Sequence, residues 1–307
     1  MLMADRVLLA DWVEASILLH EPVLYGAELL DSLREDEQAD DDDDGWRLVS
    51  DIWDELRRRR RSHHLSSITI DERVGQYRVA RNGDWKDSAA HAFTLWCSVR
   101  PHYPDPPDWI KHDHVKQGAL WERVTHAGLT HTWPDWTALS VGWSPSQPQK
   151  MLAVAHAVAR ALGEPVSSPE RIAAWTPKEA KDAGLDLVLY RAFPDGLTVP
   201  RYFGQAASGV DWVSKTGTPH LSLWNKVIDW AIWPSLLMAI PFCIAEGDFA
   251  RLTLSTDGLL LDRHRILPDG PEATWLPDDV HADLVAYLEP RVAWLLEGAI
   301  LHTADDD

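Results

Sequence analysis

Two strongly apolar runs separated by a tight turn constrain the fold of this chain more than any other feature. Residues 185–193 read LDLVLYRAF and residues 199–206 read VPRYFGQA, with Pro194-Asp195-Gly196 between them. Runs rich in Val, Leu, Tyr and Phe that are bounded by turn residues predict β-strands, and this arrangement predicts a hairpin. Strands this apolar need cover from other elements, so we expect the hairpin to lie inside a layered fold.

Helical and strand-like patterns alternate around the hairpin. Helical periodicity is present over 117–129, 149–163, 220–233 and 278–301, and strand-like runs occupy 136–143, 235–245 and 251–266. We predict that the last run is a pair of strands around Asp257-Gly258. The alternation predicts an α/β fold with a central mixed sheet flanked by helices.

A proline-rich segment at residues 102–109, HYPDPPDW, divides the chain. Before it the pattern is mainly helical, with an acidic run from Asp36 to Asp44 that we expect to be a solvated loop. Arg57 to Arg61 end a helix, which suits either a solvated helix end or a patch that docks nucleic acid or protein. We therefore predict a mainly helical N-terminal region, residues 1–112, followed by an α/β domain, residues 113–307.

Composition limits the compartment and the partners. The 307-residue chain has a formal net charge of −19, which argues against broad electrostatic capture of nucleic acid but allows a local basic groove. No apolar stretch is long enough to span a membrane, and no signal-peptide pattern is present. Cys97 and Cys243 form no disulfide framework and cannot build a zinc site by themselves. These features predict a cytoplasmic protein without a membrane partner.

One carboxylate, Asp186, opens the first apolar strand, and Gln205 lies near the end of the second. Pairing in the hairpin can bring these two side chains together where the strands leave the sheet. Carboxylate and amide oxygens are ligands that Mg²⁺ prefers, and a nearby lysine such as Lys215 can orient water and neutralise developing charge. The pattern predicts a Mg²⁺ or Mn²⁺ site, with a strand cap at Asp186 and a surface lysine at 215 as the plainer alternatives.

These residues resemble the core of the PD-(D/E)xK nuclease superfamily, in particular the restriction-endonuclease-like proteins of bacterial defence systems. Gly184-Leu185-Asp186-Leu187-Val188 resembles the strand that carries the superfamily's aspartate, and Phe203-Gly204-Gln205 resembles the adjacent strand with its (E/Q)-x-K pair. Gly118-Ala119-Leu120-Trp121-Glu122 resembles the first core helix, which makes Glu122 the additional acid of that superfamily. The resemblance covers roughly residues 116–266.

The lysine departs from the superfamily pattern. Two residues past Gln205, where the superfamily has its lysine, this chain has Ala207. The resemblance then makes Lys215 a displaced lysine, with Lys178 and Lys181 as weaker substitutes. A glutamine in place of a glutamate also removes a negative charge from the cation shell, which weakens Mg²⁺ binding unless Glu122 compensates.

The resemblance implies a metal-dependent DNA endonuclease of anti-phage defence. Asp186, Glu122 and Gln205 would hold Mg²⁺ or Mn²⁺, and Lys215 would assist the attack on a phosphodiester. Residues 259–266 are predicted to continue as a strand, on which Arg263 or Arg265 is a candidate to contact a phosphate. A protein partner would dock on the N-terminal region. The alternatives are a noncatalytic binding or assembly subunit with a nuclease fold and, more remotely, an acidic mimic of DNA.

Overall fold

Helices and short strands make up most of the described chain. The computed structural model describes residues 6–35, 42–62, 67–73, 76–103, 106–141, 151–176, 183–195 and 199–304. In chain order its elements are α1 (Arg6–Leu19), β1 (Val23–Tyr25), α2 (Gly26–Glu35), α3 (Asp42–Ser62), β2 (Ile68–Arg73), β3 (Gln76–Arg81), α4 (Ala89–Val99), α5 (Asp108–Lys111), α6 (His114–Thr132), β4 (Thr137–Ser140), α7 (Met151–Leu162), α8 (Pro169–Trp175), β5 (Leu187–Tyr190), β6 (Arg201–Ala206), α9 (Leu221–Val227), β7 (Ser235–Ala239), α10 (Glu246–Thr256), β8 (Gly258–Leu261), α11 (Arg263–Ile266) and α12 (Asp278–Ala304).

These elements divide between two units. The helical unit consists of Met1–His112, Pro241–Ala245 and Leu267–Asp307, and the site unit consists of Asp113–Ile240 and Glu246–Ile266. The first crossing between the units is at residue 112, where the sequence predicts a boundary. The last 41 residues, predicted as part of the second region, belong to the helical unit, because the apolar face of α12 packs on α4 there.

The site unit is built on a five-stranded mixed sheet of order β4-β5-β6-β7-β8. Neighbours are antiparallel from β4 to β6 and parallel from β6 to β8. The predicted hairpin is therefore the centre of the sheet, with Leu187 opposite Gly204 and Val188 opposite Phe203. The α/β class and the central mixed sheet flanked by helices are confirmed.

Alternate side chains of the hairpin enter different packing layers. Val188 and Phe203 share one face, which is covered by α7, α8 and α9 in a single apolar cluster. On α6, Trp121 is completely buried and its indole N–H donates to the carbonyl of Ala239 at 3.1 Å. Gly128 lets α6 approach α11 closely, because a Cβ there would lie 2.1 Å from the carbonyl oxygen of Ile266.

The ends of several strands lie together at one edge of this sheet. β5 begins where β6, β7 and β8 end, as their pairing registers require. We call this the site edge, and define it by Asp186 before β5, Gln205 to Ser208 at the end of β6, and Ala239 at the end of β7. Strand ends of this kind leave backbone and side-chain groups without the regular ladder, so they suit polar chemistry.

The predicted strand pair over 251–266 is wrong in its first and last parts. Residues 246–256 form the helix α10, which has Glu246 and Asp248 in its first turn, where carboxylates complement the helix dipole. Only residues 258–261 form a strand, β8. The chain then turns into α11, because the Asp262 side chain accepts from the backbone N–H of Arg265 at 3.2 Å and starts a helical turn.

The predicted helical character of residues 1–112 is confirmed for the described residues. A three-stranded antiparallel sheet of order β1-β3-β2 adds to it, which the sequence pattern did not predict. Trp53, Ile17 and Val79 belong to the apolar cluster that joins the helices to this sheet. In the described part of the chain, no helix is both long enough and apolar enough to cross a membrane.

Arg59 is the buried centre of an ionic network in the helical unit. Its guanidinium lies 2.6 Å from Asp11, 2.9 Å from Glu55 and 3.3 Å from Glu14, and all four side chains are at most 3% exposed. A further N–H donates to the carbonyl of Val7 at 2.8 Å. The arginine run is therefore not a uniformly solvated helix end. Its middle residue pairs carboxylates from α1 and α3.

Glu272 caps a helix whose residues are all buried. Its carboxylate accepts from the backbone N–H groups of Ala90, at 2.8 Å, and His91, at 2.9 Å, in the first turn of α4. Those N–H groups have no partner inside the helix, so the carboxylate replaces water. Burial raises the pKa of Glu272 to about 7, against the two backbone donors, which lower it.

We expect Arg59→Met to destabilise the protein by about 3–5 kcal/mol, because it leaves three buried carboxylates without their shared cation. Arg61→Met is the matched control, since Arg61 belongs to the same run and is exposed; its effect should stay within about 0.5 kcal/mol. Urea unfolding of both variants measures the difference. Equal small losses in the two variants would contradict a structural role for the network.

Because the pKa of Glu272 is raised in the folded protein, the free energy of unfolding should fall as the pH rises. The unfolded chain ionises near the ordinary value of 4.5 and the folded chain near 7, so rising pH favours unfolding across that window. Relative to Glu272→Gln, which cannot titrate, the free energy of unfolding of the wild type should fall by about 3 kcal/mol from pH 4.5 to pH 7.5. Urea unfolding along a pH series checks this, and a rise with pH would show that the ionised cap is the more stable form.

Candidate functional site

Asp186 lies at the site edge, immediately before β5, and is half-buried. One carboxylate oxygen accepts from the backbone N–H of Ala206 at 2.8 Å, and its own N–H donates to the carbonyl of Gly204 at 3.0 Å. These bonds tie the start of β5 to the end of β6. They hold the Asp186 carboxylate against the backbone N–H of Ala206, the residue that follows Gln205.

Gln205 is the penultimate residue of β6 and lies opposite Met238 of β7. Its side-chain oxygen Oε1 is buried and accepts no hydrogen bond from any residue that the structure describes. A buried amide oxygen without a donor costs about 1–3 kcal/mol. Such an oxygen is also a suitable acceptor for a water molecule or a ligand for a hard cation.

In this chain, the position of the superfamily's lysine is occupied by Ala207, which has a structural role. Ala207 is buried, and its N–H donates to the carbonyl of Ala239 at 2.9 Å. Lys215 ends a 3₁₀ turn, Trp212–Lys215, and its ammonium forms no ion pair with a carboxylate in the described ranges. Lys178 and Lys181 lie outside the described residues.

The turn that carries Lys215 continues into a segment that touches the approach to Asp186. Gly184, two residues before Asp186, has a φ of +75° in the left-handed region, where glycine is favoured. A Cβ at Gly184 would lie 2.3 Å from the methyl carbon of Thr218. The absence of a side chain at this position therefore lets Thr218, three residues after Lys215, approach the segment that precedes β5.

Glu122 is half-buried on α6, one residue after Trp121. Because the Trp121 indole N–H binds the carbonyl of Ala239, this part of α6 is anchored at the site edge. The predicted additional acid thus comes from the helix that contacts the end of β7. Glu122 is therefore on the same helix as a residue that binds the site edge, and its own role stays a prediction.

Gln117 of α6 binds the site edge, and the sequence pattern did not identify it. It lies one helical turn before Trp121, is 4% exposed, and donates its side-chain N–H to the carbonyl of Ser208 at 2.8 Å. Its Oε1 is buried and has no hydrogen-bond donor among the described residues. Nothing in the local sequence distinguishes Gln117 from a surface glutamine, because its partner lies 91 residues later.

The two arginines proposed as phosphate contacts lie on α11, not on a strand. Arg263 is completely buried and does not present its guanidinium to solvent. Arg265 is 42% exposed, pairs with Asp262 at 2.9 Å and stacks over the Phe249 ring at 4.0 Å. Both side chains therefore contribute to the packing of the site unit, and the strand geometry assumed for a phosphate contact is wrong.

The formal charge is distributed unevenly between the two units. The site unit has 14 Lys and Arg against 15 Asp and Glu, a net charge of −1. The helical unit has the other 15 Lys and Arg and 33 Asp and Glu, a net charge of −18, which completes the total of −19. The objection that acidity raises against nucleic-acid binding therefore applies to the helical unit, and much less to the site unit.

The candidate site has few carboxylates. Within the ranges that the structure describes, no group of three or more His, Cys, Asp or Glu side chains is arranged to hold a metal ion. A cation at the site edge would therefore rely on Asp186 and Glu122 together with amide oxygens such as that of Gln205. Such a shell has little negative charge, and we expect it to bind a divalent cation weakly.

Comparisons of the chain with models of known protein families, with curated proteins and with solved structures find no significant match. Function therefore has to be argued from the residues and geometry of the site edge.

Asp186 has a structural role that can be separated from chemistry. We expect Asp186→Ala to destabilise the protein by about 1–3 kcal/mol, because the N–H of Ala206 loses its acceptor. Asp186→Asn keeps an oxygen that can accept the same bond and should cost about 1 kcal/mol or less. Urea unfolding compares them, and an equal loss in both variants would contradict the assigned hydrogen bond.

Proposed function

We propose that this protein is a metal-dependent endonuclease that hydrolyses DNA phosphodiester bonds in bacterial anti-phage defence. One observation carries the proposal: the Asp186 carboxylate is held at the end of β6, beside a residue, Gln205, whose amide oxygen is buried without a donor. An aspartate at a strand start and a glutamine on the adjacent strand is the arrangement that the superfamily resemblance implies. The role in defence rests on that resemblance alone.

The proposed ligands of Mg²⁺ or Mn²⁺ are oxygen atoms, the donor type that both cations prefer. Asp186, Glu122 and Gln205 would supply oxygen ligands, and the uncommitted Oε1 of Gln205 is the atom whose burial such a cation would explain. A bound cation would lower the pKa of a water molecule and polarise a phosphate oxygen. The hydrogen bond between Asp186 and Ala206 holds the carboxylate in place before any ligand arrives, which avoids an ordering cost.

Lys215 would act from the turn Trp212–Lys215, which ends three residues before Thr218, the neighbour of Gly184. Its ammonium would neutralise negative charge that develops on the phosphate, as a displaced counterpart of the superfamily's lysine. The near-neutral site unit gives little electrostatic attraction for long DNA, so tight binding would need help. A protein partner that docks on the acidic helical unit would supply the additional affinity for DNA.

The second candidate is a noncatalytic binding or assembly subunit that keeps the nuclease fold. Two observations favour it: Ala207 occupies the usual lysine position, and Lys215 makes no ion pair with any described carboxylate. A site that binds a cation or DNA without cutting would have these features. The two candidates differ in whether a lysine reaches the reacting phosphate.

The test is cleavage of plasmid and linear DNA by the purified full-length protein with Mg²⁺ or Mn²⁺. We expect Asp186→Asn to lower the cleavage rate by about 100-fold or more, because it removes the charged ligand and keeps the Ala206 bond. Lys215→Ala should also lose most activity. Lys226→Ala is the matched control, because the ammonium of Lys226 lies over the Trp175 ring at 5.2 Å. We expect this variant to cut DNA like the wild type.

If Asp186→Asn loses cleavage while Lys215→Ala keeps full activity, the protein is a nuclease in which Lys215 has no catalytic role. Cutting that persists in Asp186→Asn would disprove the proposed centre. A folded wild-type protein that binds DNA but never cuts it would favour the noncatalytic subunit.

A further inference from the structure

We infer that Gln117 is a positioning residue of the candidate metal centre, whose side-chain oxygen accepts a hydrogen bond from a water molecule in the shell of the divalent cation. This inference rests on the proposed function and adds a residue that neither the sequence pattern nor the superfamily resemblance assigns. It arises from one feature of the site edge: a glutamine that is anchored by its nitrogen and leaves its oxygen buried without a donor.

The orientation of the Gln117 amide follows from its single described partner. The carbonyl of Ser208 can only accept, so the side-chain nitrogen of Gln117 must point towards it at 2.8 Å. The side-chain oxygen then has to point elsewhere, and it is buried with no donor in the described ranges. Exchanging nitrogen and oxygen would place two acceptors against each other, so this assignment is chemically determined.

Gln117 and Asp186 are joined through one short segment of chain. Asp186 binds the N–H of Ala206, Ala207 donates to the carbonyl of Ala239, and Ser208 accepts from Gln117. Trp121, one turn further along α6, donates to that same carbonyl of Ala239. The first turns of α6 are thus bound to the backbone that immediately follows Gln205, which brings a helical amide to the site edge.

The buried oxygen is energetically unfavourable unless something binds it. An acceptor removed from water without a donor costs about 1–3 kcal/mol, and an apolar side chain of similar size would avoid that cost. A water molecule held by a cation is a strong donor, because the cation polarises its O–H bonds. Outer-shell groups of this kind orient the ligands of a metal and contribute to its affinity.

Thr125 provides a matched comparison on the same helix. Its side chain is completely buried, and its hydroxyl also has no hydrogen-bond partner among the described residues. It lies two turns beyond Gln117, and no hydrogen bond joins its side chain to the site-edge backbone in the described residues. If buried unpaired groups on α6 were only packing defects, substitutions at the two positions would have the same lack of effect on cation binding.

The experiment is calorimetric titration of the full-length protein with Mn²⁺, with urea unfolding of each variant in the absence of metal. We expect Gln117→Met to weaken Mn²⁺ binding by about tenfold or more, because the oxygen that holds the shell water is lost. Thr125→Val should bind Mn²⁺ like the wild type, and Asp186→Asn should abolish binding.

Urea unfolding in the absence of metal distinguishes positioning from a general loss of structure, because a general loss would lower the stability of Gln117→Met as well as its Mn²⁺ affinity. Unchanged Mn²⁺ affinity in Gln117→Met, or an equal loss of affinity in Thr125→Val, would overturn the role of Gln117 alone. A folded wild type whose Mn²⁺ binding is absent, or survives Asp186→Asn, would overturn the proposed metal centre and this inference with it.

Discussion

The pairing of β5 with β6 is the constraint on which the site unit depends. Its register places Val188 opposite Phe203 in the layer covered by α7 to α9, and Leu187 opposite Gly204 on the other side. A shift by one residue would exchange these faces and expose the apolar set. The same register leaves Asp186 one residue outside the last pair, within reach of the Ala206 N–H. The position of the acid is thus a consequence of how the apolar residues behind it must pack.

Buried polar groups with partners and without them occur in both units, and Arg59 and the site-edge amides are an example of each kind. In the helical unit, Arg59 is surrounded by carboxylates and a carbonyl, so that the buried charges compensate one another. At the site edge, the amide oxygens of Gln117 and Gln205 are buried without donors from the described chain. Compensated ions keep a core in one arrangement, whereas uncompensated acceptors are places where a ligand gains free energy by binding.

The negative charge of the chain is concentrated in the helical unit, so it bears on DNA binding by that unit and not by the site unit. A total of −19 describes neither unit, because almost all of it belongs to the helical unit and the site unit is nearly neutral. Electrostatic repulsion of nucleic acid depends on the local field and on distance, and salt screens it beyond about 8–10 Å. A nearly neutral site unit neither repels nor strongly attracts a phosphate backbone, so contacts at the site edge and from partners would decide binding.

Local sequence determined the hairpin, the α/β class and the place of Asp186 at a strand start, because alternation and turn residues report directly on strand pairing. It misjudged residues 251–256, where a short apolar run suits a helix as well as a strand and acidic residues in the first turn of α10 favour the helix. Only the tertiary structure decided that Arg59 is buried, that Arg263 is enclosed and that Gln117 belongs to the site edge. The partner of Gln117 lies 91 residues away and that of Arg59 on α1 lies 48 residues away. Hydrogen-bond satisfaction depends on contacts between such distant segments, and no local pattern of apolar and polar residues records them.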